Sequence, residues 1–148
     1  MKIFVLIFSS LISFISFWYG LKLFRLYLRV SRWDKITATV IKKAIVKKTL
    51  SAASRAPYKL SVEYSYLYNL QKHKGNKVFL IELLGGEKGF LYNAAKKILE
   101  KINPETEIYV NPNSPEESVV FCDGIILYLF VLLLSPLSLL VGLGTYFT

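Results

Sequence analysis

The chain has 148 residues and a mass of 16.9 kDa; 53% of its residues are hydrophobic, only 20% are charged, and the mean hydropathy is +0.41. The net charge is +9, from 19 Lys+Arg against 10 Asp+Glu, on a chain too apolar for a disordered tail or an ordinary basic soluble domain. One Cys excludes an internal disulfide and a multi-cysteine zinc site, and one His excludes a paired-histidine metal motif, so no cofactor or metal is expected.

Residues Ile3 to Leu21 carry no charge. As a helix they extend about 28 Å, close to the thickness of a hydrocarbon core. The run ends in bulky Phe17-Trp18-Tyr19 with no small-x-small cleavage site, so it reads as an anchor rather than a secretory signal peptide. The helix is expected to continue to Val30. Lys22, Arg25 and Arg29 then share one face at i, i+3 and i+7, followed by Arg32, Trp33 and Lys35. Those five basic residues are the candidate lipid or partner contact, each worth about 1 kcal/mol beside anionic headgroups. The plainer role is a topology signal. Trp33 is the expected interfacial anchor.

Thr37 to Lys48 reads as a strand, rich in β-branched residues with lysines at its solvent edges. Small, polar residues over 49–57 read as a mobile loop. Leu60, Val62, Tyr64, Tyr66, Tyr68 and Leu70 then alternate with Ser61, Glu63, Ser65, Leu67 and Asn69. That period of two marks an antiparallel strand with one apolar face. Lys74-Gly75-Asn76 is a turn signal, and Val78 to Leu84 is the expected return strand of a hairpin. Residues ~90–102 switch to helical period, with Leu91, Ala94, Ala95, Ile98, Leu99 and Ile102 on the inner face and Asn103-Pro104 as the stop. Glu107 to Val110 and Ser118 to Cys122 are the last two expected strands. An uncharged run from Gly124 to Thr148, containing Pro136, is long enough to span a second time. Gly142 and Gly144 do not form a GxxxG pair, which argues against a helix dimer built on them.

No nucleophile–base set is present. Cys122 lies some fifty residues from His73 and reads as a small buried hydrophobe; His73, between Lys72 and Lys74, reads as a solvated loop residue. Glu116 and Glu117 are adjacent and diverge, so they serve solvation or capping better than acid–base work. Gly85-Gly86-Glu87-Lys88-Gly89 lacks the spacing of a phosphate loop. The tyrosine row shares its face with Leu60, Val62 and Leu70, which fits a sheet core better than stacked bases. No enzyme and no nucleic-acid partner are expected.

The segment Tyr109-Val110-Asn111-Pro112-Asn113-Ser114-Pro115-Glu116-Glu117-Ser118-Val119-Val120 closes the soluble stretch. It resembles the closing signature of a family of small bacterial membrane proteins that carry domain of unknown function 3592 between transmembrane helices. Trp33, Thr37-Ala38-Thr39-Val40, Tyr58, Val62, Tyr64 and Tyr66 extend the resemblance over residues ~33–122. The chain departs from it at Asn69 to Lys77, where a short Asn-Gly turn is replaced by a longer, lysine-rich connection. The resemblance implies the layout and no chemistry. Physically, the signature residues Tyr109, Asn111, Pro112, Pro115 and Ser118 make a shaped turn, with the prolines setting φ and the asparagines folding onto their own backbone. Exposed backbone there is a second candidate docking point.

The expectation is therefore an α+β membrane protein with two transmembrane helices, 1–30 and 124–148. They flank a small, mostly antiparallel β domain, 31–123, with one amphipathic helix. Lysines and arginines gathered at the inner helix ends place that domain in the cytoplasm of a bacterial inner membrane. The expected function is a non-catalytic interaction or accessory module at the membrane surface, its partners another protein and membrane lipids. Self-association and hetero-association both stay open. The alternative is an immunity or exclusion protein against a toxin or phage factor.

Overall fold

An uncharged run followed by leucines and basic residues gives the backbone no reason to stop, and the first helix, α1, runs unbroken over Lys2–Val30. It belongs to a computed structural model that describes residues 2–48, 57–86, 88–122 and 125–147. The expected loop over 49–57 lies outside the described residues except for Pro57. The other elements are β1 (Asp34–Lys47), β2 (Tyr58–Tyr68), β3 (Gln71–Gly75), α2 (Leu80–Leu83), α3 (Tyr92–Glu100), β4 (Glu105–Val110), β5 (Ser118–Val119) and α4 (Ile125–Phe147). The chain divides into two units, Met1–Leu28 with Asp123–Thr148, and Arg29–Cys122.

In the helical unit, α1 and α4 run antiparallel along a seam of small residues. Ser13 and Ser135 meet through their hydroxyls at 3.0 Å, and the Ser138 hydroxyl donates to the Ser9 carbonyl at 3.4 Å. A Cβ on Gly20 would stand 3.1 Å from the Leu132 Cα, and one on Gly142 would collide with Ser9. Close backbone approach is how helices associate where apolar burial gives no net drive. Gly142 thus serves packing within the chain. The rings of Tyr27 and Tyr128 pack at a tilt, their centres 5.6 Å apart. Pro136 sits inside α4 without ending it. Both helices are long and apolar enough to cross a membrane.

In the second unit five strands form one sheet in the order β3-β2-β1-β4-β5, every neighbouring pair antiparallel. The alternation in β2 places Leu60, Val62, Tyr64 and Tyr66 in the core, with Ala38, Val78, Ala95, Ile102, Ile108 and Val110 packed among them. β1 starts three residues before the expected strand. A bulge between Val40 and Lys42 shifts its alternation: Val40 lies opposite Tyr64, and beyond the bulge Lys43 lies opposite Val62 and Ile45 opposite Leu60. Lys43 keeps the exposed position expected of a solvent-edge lysine. It reaches the last turn of α3 and donates to the carbonyls of Ile102 (2.9 Å) and Leu99 (3.4 Å).

The hairpin differs from expectation. The chain reverses at Asn69-Leu70, with φ of 49° and 64°, a two-residue turn with both residues left-handed. The return strand is β3, not Val78–Leu84. Lys74 and Gly75 end that strand and Asn76 follows it, so they are not the turn, and Leu70 sits at the tip in solvent rather than on the apolar face. Val78, Phe79 and Leu80 are apolar because they enter the core, and residues 80–83 form α2. Past β3 the chain pairs in parallel with the segment past β5: Val120 N–H donates to Lys77 O, and Phe121 N–H to Val78 O. This link joins the two outer strands and curls the sheet toward a closed barrel, the surest protection for strand edges. On α3, Ala95 is buried and Ile98 and Leu99 half-buried, but Leu91 and Ala94 are exposed, because the helix begins only at Tyr92 and presents a narrower face.

Candidate functional site

One end of the sheet carries the residues singled out by sequence. α1 closes in a tight turn, with Arg32 N–H to Arg29 O (3.2 Å) and Trp33 N–H to Val30 O (3.0 Å), and β1 begins at once. Lys22, Arg25 and Arg29 are exposed along one helical face, and Arg32 and Lys35 are exposed beyond it. The ammonium of Lys35 lies 5.3 Å from the centre of the Tyr109 ring, a cation–π contact worth about 0.5–1 kcal/mol at an exposed site. Trp33, the expected interfacial anchor, is buried. Asp34 accepts the Tyr68 hydroxyl at 2.6 Å, and that bond to a carboxylate holds the Tyr68 phenol above its ordinary pKa.

The signature turn sits at the same end, because Val110 pairs with Asp34. Its polar groups are taken up locally. Asn111 Oδ1 accepts Asn113 N–H (3.0 Å), and Asn111 Nδ2 donates to the Glu117 carboxylate (2.8 Å). Backbone bonds join Asn111 N–H to Glu117 O (2.9 Å), Ser114 N–H to Asn111 O (3.1 Å) and Glu117 N–H to Ser114 O (2.9 Å). Two tyrosines of β2 bolt the turn to the sheet. Tyr66 donates to Pro115 O at 2.6 Å; Tyr64 meets Ser118 Oγ and donates to Lys77 O, both at 3.0 Å. Burial raises the pKa of both phenols, most strongly that of Tyr64, whose charged form has no solvent to stabilise it. Pro112 and Asn113 stand exposed at the crown of the turn.

Three residues of this end were not legible beforehand. Asp34 pairs with Tyr68 only through the sheet register. Gly75 must lack a side chain, because a Cβ there would strike the Tyr64 ring and the Ser118 hydroxyl. His73 is a strand residue, not a solvated loop residue: its ring stacks on Tyr66 at 5.7 Å, and its Nε2 is enclosed without a hydrogen-bond partner. Cys122 is half-buried, less enclosed than expected.

Elsewhere, a groove of about 330 Å³ opens where β2 parts from residues 76–88. Its wall mixes Lys59, Lys77 and Lys88 with Glu63 and Glu82. Glu82 accepts Val78 N–H (2.6 Å), and the Lys88 ammonium lies 4.4 Å from the centre of the Phe79 ring. Glu82 and Lys88 thus hold the loop over the core. No protein-family model matches the chain, and no curated protein or solved structure matches it either.

Proposed function

We propose that this is a two-span membrane protein whose sheet unit works without catalysis, as an interaction or accessory module held at the membrane surface. The observation that carries the reading is the apolar exposure of the two long helices. Phe4, Phe8, Phe14, Trp18, Ile126, Phe130, Leu137 and Phe147 all face outward while serines and glycines fill the seam between the helices. That arrangement is inverted for water and suited to lipid. The resemblance of the signature turn to domain of unknown function 3592 supports the same layout. The basic run from Lys22 to Lys43 favours a cytoplasmic sheet unit, with both helices leaving on the far side. Arg29, Arg32 and the exposed crown at Pro112 and Asn113 are the contact points proposed for headgroups and for a protein partner.

Topology tests the reading first. Alkaline phosphatase fused after Thr148 is expected to be active in a bacterial host, and a fluorescent protein fused there to be dark. The reverse pattern overturns the cytoplasmic placement. Photocrosslinkers at Arg32 and Pro112 then test the module: a discrete adduct lost on substitution of the crown supports it, and no adduct at either position refutes it. The immunity alternative separates genetically, since its deletion is silent until a toxin is supplied.

A further inference from the structure

We propose that the tip of the β2–β3 hairpin is a lipid-contact element, with Leu70 entering the headgroup region of an anionic membrane between flanking lysines; this rests on the membrane reading above. Leu70 is 92% exposed and holds φ at +64°. A branched side chain in left-handed backbone is strained, and a glycine there would remove both the strain and the exposed apolar surface. Among the described residues nothing covers Leu70 in return, which points to a contact outside the chain. Leu67, three residues earlier and near the end of β2, is exposed as well. Opposite Leu67 stands Lys72, and opposite Ser65 stands Lys74, both exposed, so an apolar tip is flanked by two cations on one face of the hairpin.

The position of the tip selects lipid over a distant protein. Tyr68, the last residue before the turn, hydrogen-bonds Asp34, and Asp34 follows the end of α1 by four residues. The tip therefore lies at the end of the sheet where β1 begins, four residues after the last residue of α1. Arg29 and Arg32 add exposed positive charge at that end. Cations beside a small apolar insert match the chemistry of an anionic headgroup layer over hydrocarbon.

The test uses the full chain carrying Cys122→Ala, reconstituted in vesicles of phosphatidylglycerol and phosphatidylcholine. An environment-sensitive fluorophore is placed by Leu70→Cys, or, at the far end of the sheet, by Lys47→Cys. The label at position 70 is expected to shift to the blue and to be quenched by lipid-borne doxyl groups, while the label at 47 is quenched by aqueous iodide. Iodide quenching at both positions overturns the proposal and leaves Leu70 to a protein partner. A chain that does not stay with the vesicles overturns the membrane reading itself, a separate result. The unmodified chain gives a readout that needs no cysteine change. Hydrogen exchange over Leu67–Gln71 is expected to be slower in anionic than in neutral vesicles, and equal rates overturn the charge-assisted contact.

Discussion

Tyr64 shows how one side chain ties three segments together: it lies in the β2 core face, donates to Lys77 and meets Ser118 of the signature turn. Tyr64→Phe keeps the ring and strands both partners. It is expected to cost about 1–2 kcal/mol in chemical denaturation, more than Ser118→Ala, which leaves the bond to Lys77 intact. Burial raises the Tyr64 pKa, so above about pH 10, where an unfolded tyrosine loses its proton, the folded state binds more protons than the unfolded one. Stability is therefore flat below that range and falls as pH rises through it. A denaturation series from pH 8 to 11 should show the fall, and Tyr64→Phe should make it shallower, Tyr66 and Tyr68 supplying the remainder. Gly75→Ala drives a methyl into the Tyr64 ring and is expected to cost about 1–3 kcal/mol. Leu70→Gly goes the other way. It relieves a left-handed leucine that buries nothing and should stabilise the sheet unit by about 1 kcal/mol in the same assay.

Among the elements, the bulge in β1 has the widest effect. It turns Lys43 to the α3 side, where the ammonium satisfies the last carbonyls of that helix. Lys43→Met keeps the aliphatic stem and removes the cap, so a loss of about 0.5–1.5 kcal/mol is expected in thermal unfolding. Between α1 and α4 the seam of serines and glycines predicts a cross-link. With Cys122→Ala, the pair Ser13→Cys and Ser135→Cys should oxidise to a disulfide, because their side chains point at one another and meet at 3.0 Å. Failure of the pair to close, with the chain still in the membrane fraction, refutes the packing. Period-two and period-3.6 patterns made β2, β4 and α3 legible. The Val78–Leu84 run misled, because an apolar run of strand length says only that residues are buried, and the core also needed Val78, Phe79 and Leu80.

At the scale of the molecule, two apolar helices at either end of the chain and a charged middle were read along the sequence, since uncharged runs of that length are helices long and apolar enough to cross a membrane. The basic residues from Lys22 to Lys35 were visible for the same local reason. What tertiary structure decided is everything that depends on residues far apart meeting. The sheet order follows from β1 lying between β2 and β4, and the partial closure from residues 77–79 meeting 119–121. The stacking of His73 on Tyr66 and the need for a bare Gly75 beneath Tyr64 and Ser118 come from the same long-range meetings. Periodicity and charge act within a few residues and can be read along the chain. Register and closure are set by the packing of whole strands against one another, and there a leucine at a hairpin tip becomes a strained, solvent-facing tooth where the pattern alone made it core.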